Sequence, residues 1–339
     1  MLKLRSVLWM VVVAMLMVGA LPAVAQDEPT LTIYSGRGES LVGPIIAQFS
    51  ESTGIQVEVL YGNTAAIANQ IIEEGANSPA DVYYGQDAGA LGALAKAGLL
   101  TTLPESITGL VADAFQSPDG QWVGTSLRAR VLVYNPALVE EQGLTLPESI
   151  LDLTKPEYKG LVGWAPENAS LQAQVTALRV LLGDEATEAW LAGMVANEAV
   201  SFGSSNTNLY LAVGNGEIPF GISNHYYLFG LVASNSELQL AQHIFPNGDP
   251  GALVNVAGAG VLESSDQKEL AEQFVAFLLS PVAQQYFTSQ TYEYPVIDGI
   301  ITNPRLLPLD SIQTPEIDLS DLDDLQTTIE MIENSGALD

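Results

Sequence analysis

Residues 31–60 read LTIYSGRGESLVGPIIAQFSESTGIQVEVL, and this stretch decides the fold class. Residues 31–34 form a short apolar run that is typical of a buried strand. Apolar residues then recur at helical spacing from Leu41 to Phe49, and Gly54 marks the end of that helix. Residues 56–60 alternate in polarity, as a second strand does. A strand, a helix and a strand in this order form the unit from which parallel sheets are built.

The same alternation of strands and helices continues along the chain. It runs to residue 98, is interrupted by strand-like segments at 121–125 and 130–134, and resumes from 161 to 245. Ligand clefts in such folds form outside the carboxyl ends of the strands. We therefore predict two α/β lobes with a cleft between them.

Composition restricts the classes of function. Of the 339 residues, 47% are hydrophobic and 15% are charged, which is the balance of a folded protein. Acidic residues outnumber basic ones 40 to 11, and a net charge of -29 disfavours nucleic acid as a partner. The chain has no cysteine and two histidines, so thiolate sites and short-spaced histidine pairs are excluded. Nucleophile elbows and P-loops are also missing, and we expect a protein that is not an enzyme.

The first 25 residues have the order of a secretory signal peptide. Lys3 and Arg5 precede an apolar run, and Ala23-Val24-Ala25 precedes Gln26. A charged region, an apolar region and a small-residue cleavage site are the three parts of such a leader. The alternative is an uncleaved membrane anchor. We predict cleavage after Ala25 and a soluble protein in the periplasm or outside the cell.

Two basic residues and a loop are candidates for holding an anion. Arg128 and Arg130 are separated by one residue, so a strand would place both guanidinium groups on one face. The alternative for this pair is ordinary surface ion pairing. The loop at residues 34–39 lies between a predicted strand and helix, where free backbone N–H groups face a ligand. The alternative there is a plain tight turn.

Tyr226 and Tyr227 are candidates for metal binding. They follow a predicted strand and Asn224, at the start of a predicted helix. Phenolate is a hard oxygen ligand that suits a hard cation such as ferric iron. The alternative is that both rings belong to the core or its rim.

Together these sites resemble the periplasmic ferric-iron-binding proteins of ABC transporters. The resemblance extends from Leu31 to about Ile297. Supporting stretches are Ser78-Pro79-Ala80-Asp81-Val82, Gln86-Asp87-Ala88-Gly89, Asp249-Pro250-Gly251-Ala252-Leu253 and Glu293-Tyr294-Pro295. It implies a type II periplasmic-binding fold, in which two α/β lobes joined by a hinge close over ferric iron.

The resemblance also implies a ligand set. The family's adjacent tyrosine ligands fall on Tyr226 and Tyr227, and its anion-binding positions fall on Arg128, Arg130, Asn168, Ala169, Ser170, Asn206 and Asn224. Other ligand positions are changed, because Gly38, Gln86 and Trp164 stand where some members have histidine, glutamate or tyrosine. Glu39 and Asp87, next to two of these positions, are candidate replacements, as are a bound anion or water.

From these features we expect a solute-binding protein that captures ferric iron with a synergistic anion, carbonate or phosphate. It would act as a monomer and deliver iron to an ABC transporter permease in the inner membrane. The alternative ligand is an organic solute: thiamine, a polyamine or an organic phosphate. The predicted first lobe comprises 26–130 and about 254–299, and the second about 131–253 and 300–339. The hinge is predicted at 130–134 and 251–256.

N-terminal sequencing of exported protein tests the predicted leader. We expect the mature chain to begin at or near Gln26, because the small residues of the cleavage site end at Ala25. A membrane-bound product that still begins with Met1 would identify the leader as an anchor.

Overall fold

The computed structural model describes residues 30–338, so the predicted signal peptide lies outside the described residues. The strands are β1 (Thr30–Ser35), β2 (Gln56–Tyr61), β3 (Val82–Gly85), β4 (Val123–Tyr134), β5 (Val162–Trp164), β6 (Val200–Ser201), β7 (Phe220–Asn224), β8 (Ala241–His243) and β9 (Val254–Val261). The helices are α1 (Glu39–Thr53), α2 (Thr64–Glu74), α3 (Ala88–Lys96), α4 (Glu105–Thr108), α5 (Pro136–Glu141), α6 (Ala169–Leu182), α7 (Asp184–Ala196), α8 (Asn206–Gly214), α9 (Tyr227–Ser234), α10 (Lys268–Leu278), α11 (Pro281–Gln290) and α12 (Leu325–Asn334). In residues 30–338, no helix combines the length and apolar character needed to cross a membrane.

The strands form two sheet regions that share one strand. In the first region β1 pairs in parallel with β2 and β3, and β9 runs antiparallel between β3 and β4. In the second region β5 pairs in parallel with β6 and β7, while β4 runs antiparallel to β7 and β8. The predicted architecture of two α/β lobes is confirmed.

The shared strand is β4. Its first part pairs with β9 as far as Ala129, and its last part pairs with β7 from Arg130 onward. The sequence analysis predicted two separate strands here, and that prediction was wrong, because one strand of 12 residues spans both segments. The residues between them stay extended because β9 supplies their hydrogen-bond partners.

Each sheet region has its own apolar core. The first core contains Phe49 and Phe274, whose rings meet edge to face with centroids 5.2 Å apart. The second core contains Trp164 and Trp190 in the same arrangement at 6.2 Å. Edge-to-face contacts of this kind add to the stabilisation that burial of the rings provides.

The C-terminal segment contacts both cores. Leu319 and Leu322 are buried in the first core, whereas Met331 and Ile332 are buried in the second. The backbone of this segment passes so close to α3 that a Cβ at Gly89 would lie 2.5 Å from the Leu322 carbonyl oxygen. Residues 300–338 therefore bridge the two lobes, and the predicted lobe boundaries stay a prediction.

Candidate functional site

A cleft of about 500 Å³ lies between the two sheet regions. One wall is formed by the loop after β1, the start of α2 and Gln86, which follows β3. The opposite wall is formed by the first turns of α6, α8 and α9. The polar and aromatic residues that line it are Ser40, Asn63, Thr64, Gln86, Asn168, Ser170, Thr207, Tyr226, Tyr227, Gln290, Thr291 and Tyr292. Both lobes therefore contribute polar groups to one cavity.

Tyr226 and Tyr227 lie together in this cleft. They follow the end of β7, where α9 begins, and their rings stack with centroids 4.4 Å apart and planes 29° apart. Burial raises the pKa of Tyr227 well above its ordinary value, and the neighbouring Tyr226 raises it further. The Tyr227 phenol is therefore protonated at neutral pH unless a cation displaces the proton.

Asn224, the last residue of β7, connects the tyrosines with the arginines. Its side-chain oxygen accepts a hydrogen bond from Arg130 Nη1 at 2.9 Å. Its amide nitrogen donates to Ser170 Oγ at 2.9 Å and lies 3.5 Å from the Tyr226 hydroxyl. On the other side of the cleft, Gln86 Nε2 donates to the same hydroxyl at 3.3 Å. Tyr226 is thus held by side chains from both lobes.

Arg128 and Arg130 are buried beside the cleft rather than among the residues that line it, each with 2% of its surface exposed. Arg128 donates to the Val256 carbonyl at 3.1 Å and to Ser170 Oγ at 3.4 Å. Within residues 30–338, Arg128 Nε, Arg130 Nε and Arg130 Nη2 have no hydrogen-bond partner. Burial lowers the pKa of Arg130 to about 10, with Tyr226 opposing this change, so the group stays charged at neutral pH. The two side chains form a buried cationic site with spare donors.

Two helix N-termini add to this positive potential. Asn168 caps α6 by accepting a hydrogen bond from the Ser170 N–H at 3.0 Å, so Ala169 and Ser170 form its first turn. Asn206 is the first residue of α8 and is buried. Its side chain acts to lower the pKa of Tyr227, but the opposing effect of burial is larger. N-terminal turns attract anions because their N–H groups lack helical partners.

The two candidate carboxylates are not brought into the cleft. Glu39 is exposed on the first turn of α1. Asp87 is buried and caps α3, where its Oδ1 accepts a hydrogen bond from the Ala90 N–H at 3.2 Å. Burial raises the pKa of Asp87, and Arg128 partly opposes this rise. Trp164 is likewise away from the cleft, in the second core.

The loop at residues 34–39 positions the first wall of the cleft. Arg37 is fully buried and its Nη2 pairs with Glu293 at 2.5 Å, while its other terminal nitrogen, Nη1, donates to Ser126 Oγ on β4 at 3.1 Å. Gly36 lines the cleft, and a Cβ there would lie 2.8 Å from Thr64 Cα. The charge of Arg37 is therefore balanced by a direct ion pair, whereas within residues 30–338 no ion pair is formed by Arg128 or Arg130.

Sequence reasoning assigned no role to several residues of this site, including Gln86 and Tyr292. Gln86 was noted only as a change from the family's glutamate, and Tyr292 was not considered. Both side chains line the cleft. The only signal for Tyr292 was its position next to the family-like stretch Glu293-Tyr294-Pro295.

A two-lobed α/β fold with a polar cleft between the lobes is the architecture of solute-binding proteins. The family model of the bacterial extracellular solute-binding proteins matches residues 34–285, and the chain belongs to this family. It is 34% identical to an Fe(3+)-binding periplasmic protein of Serratia marcescens over 93% of this chain and 92% of that one. It is 32% identical to the major ferric iron-binding protein of Neisseria meningitidis serogroup B, over 95% and 97%.

A solved structure agrees with these relatives. Iron-bound HitA from Pseudomonas aeruginosa matches with a TM-score of 0.86 and 38% identity, over 91% of this chain and 99% of that one. The resemblance and the fold inferred from the sequence are both confirmed.

The pH dependence of stability tests the burial of His225. Its Nδ1 accepts a hydrogen bond from the Ala129 N–H, its Nε2 contacts the Tyr292 carbonyl oxygen, and burial lowers its pKa to about 4. The unfolded chain then binds a proton between pH 6.5 and 4 that the folded chain does not. The contribution of His225 to the free energy of unfolding is therefore complete above pH 6.5. It falls by about 3 kcal/mol as the pH is lowered to 4.

Urea unfolding at pH 7, 5.5 and 4 measures this contribution, with His225→Gln removing the titrating group. Wild type should lose more stability than the variant across this range. Equal losses in the two proteins would show that folding does not lower the pKa of His225.

Proposed function

We propose that this protein captures ferric iron between its lobes for uptake by an ABC transporter. Tyr226 and Tyr227 bind the iron as phenolates, and Arg128 and Arg130 hold an anion beside it. The observation that carries the proposal is a stacked tyrosine pair joined through Asn224 to two buried guanidinium groups with spare donors. The relatives are named as ferric-iron-binding proteins or were solved with iron bound, and this supports the choice of metal.

The tyrosine pair suits a cation of high charge. The rings of Tyr226 and Tyr227 stack on each other in the cleft wall. A cation bound beside them can therefore be coordinated by two hard phenolate oxygens from one side. The raised pKa of Tyr227 means that binding must displace its proton. A trivalent ion does this more readily than a divalent one, because its charge stabilises the phenolate more strongly.

The anion completes the site in this proposal. Arg130 has two nitrogens without partners among the described residues, and Arg128 has one. Burying charged groups is costly unless they are compensated. A carbonate or phosphate between these groups and the iron would accept their hydrogen bonds and occupy coordination positions. The anion or water takes these positions rather than Glu39 or Asp87, whose carboxylates are exposed or engaged in capping α3.

In this proposal, closing of the lobes captures the iron and opening of the lobes releases it. Tyr226 already contacts Gln86 of the first lobe, so iron bound to Tyr226 lies at the boundary of the lobes. The strands that connect the lobes are β4, which changes sheet partner between Ala129 and Arg130, and the neighbouring β9. Small rotations there would open the cleft and present the iron to a permease.

The visible spectrum tests the tyrosine ligands. Ferric phenolate has a charge-transfer band, so the iron-loaded wild type should be coloured. Tyr226→Phe or Tyr227→Phe should bleach or shift this band and weaken iron binding by more than tenfold, because each removes a charged ligand.

Tyr158→Phe is the matched control, since Tyr158 is a buried tyrosine of the second core whose hydroxyl bonds the Thr145 carbonyl. It should keep the colour. A colourless wild type in excess iron would overturn the iron assignment and favour an organic phosphate held by the arginines.

Anion dependence tests the arginines separately. Iron binding by wild type should strengthen as carbonate or phosphate is added. In Arg128→Ala with Arg130→Ala this dependence should disappear, with binding weaker by roughly tenfold or more, because hydrogen bonds to charged groups are lost. Arg305→Ala, which removes an exposed arginine outside this cleft, is the control. A double variant with wild-type anion dependence would show that the two arginines are structural.

A further inference from the structure

Tyr292 contacts residues on both sides of the tyrosine pair from the opposite lobe. It lies in the loop 291–294, directly after α11, and lines the cleft. Its ring stacks on Phe229 with centroids 4.9 Å apart and planes 22° apart. Phe229 is the third residue of α9, the helix that begins at Tyr227. This contact therefore holds the helix that carries the proposed iron ligands.

The backbone of Tyr292 makes a second contact on the other side of the pair. Its carbonyl oxygen lies 2.7 Å from His225 Nε2. The Ala129 N–H donates to His225 Nδ1, so the remaining ring nitrogen, Nε2, carries the proton and donates to Tyr292. His225 comes immediately before Tyr226, and Phe229 comes two residues after Tyr227. Tyr292 therefore contacts the residues that flank the turn formed by Tyr226 and Tyr227 on both sides.

The loop itself is fixed to the first lobe. Glu293 pairs with the buried Arg37 at 2.5 Å, and a Glu293 oxygen also accepts a hydrogen bond from Ser126 of β4. Tyr294 exchanges two backbone hydrogen bonds with Leu127, at 2.8 and 2.9 Å. Motion of the loop relative to β4 is therefore restricted.

The backbone conformation of Tyr292 supports a specific role. Its φ of +57° lies in the left-handed region, which is unfavourable for a side chain of this size. Such a conformation persists only where the surroundings impose it, and it is enriched at ligand-binding segments. Here the Glu293 ion pair on one side and the Phe229 stack on the other impose it.

We propose that Tyr292 is a positioning residue that holds the Tyr226–Tyr227 turn in its iron-binding orientation and slows iron release. The inference rests on the proposed function and assigns Tyr292 no bond to the metal. It acts through its ring and its carbonyl group, so the phenol oxygen is dispensable.

The experiment compares iron-loaded mature protein with three single variants and one double variant. Tyr292→Asn removes the ring without adding backbone strain, because Asn tolerates positive φ. Phe229→Leu removes the other half of the stack, and Tyr292→Phe retains it. The rate of iron transfer to an excess of a competing chelator is measured, together with the charge-transfer band.

We expect Tyr292→Asn and Phe229→Leu each to release iron about three- to tenfold faster, the range that loss of an aromatic pair implies. The band should shift in both, because the phenolates are less well oriented. Tyr292→Phe should match wild type. The double variant of Tyr292→Asn with Phe229→Leu should release iron no faster than the faster single variant, because both act through one contact.

Phe277→Leu is the matched control. It removes an aromatic contact with Phe49 in the first core, where the centroids are 5.3 Å apart, and should lower stability without changing the release rate. Thermal unfolding of the iron-free variants separates lost stability from lost positioning. Should Tyr292→Asn fail to fold, Phe229→Leu carries the same test.

The outcomes separate this inference from the proposed function. A colourless wild type overturns the iron assignment and the inference with it. A coloured wild type whose release rate and band are unchanged by Tyr292→Asn or Phe229→Leu overturns the inference alone. Bleaching in Tyr292→Phe also overturns it, because Tyr292 would then be a ligand.

Discussion

The structure depends on β4 belonging to both sheet regions. Because its pairing passes from β9 to β7 between Ala129 and Arg130, the strand carries Arg128 and Arg130 to the point where the lobes meet. The same change of partner places Asn224, at the end of β7, opposite Arg130. A single continuous strand therefore sets both the connection between the lobes and the buried cationic site beside the cleft.

Charge compensation distinguishes two kinds of buried arginine near this strand. Arg37 is neutralised by Glu293, and the pair fixes the cleft loop and the loop 291–294 to the first lobe. Arg128 and Arg130 instead bond to neutral groups: Val256, Ser170 and Asn224. Since a buried charge without an ion-pair partner is unfavourable, the first kind is satisfied within the fold and the second favours an anionic ligand.

Much of the fold could be predicted from local patterns, and some elements could not. Helix α2 is marked at both ends by local sequence, because Asn63 caps it and Gly75 ends it. Helix α8 has a weak local signal, because most of its residues are buried, as at Leu209, Tyr210 and Val213, and its exposed polar residues do not form a continuous face. The division of β4 was wrong because local sequence does not show that β9 pairs with its middle.

By itself, the sequence determined the secretory leader pattern, the alternation of strands and helices, and the candidate residues Tyr226, Tyr227, Arg128 and Arg130, since these depend on neighbours along the chain. Only the tertiary structure decided which side chains meet. Gln86 contacts Tyr226 across 140 positions, and Tyr292 contacts His225 across 67. Contacts of this range are created by lobe packing and sheet pairing, which no local pattern encodes.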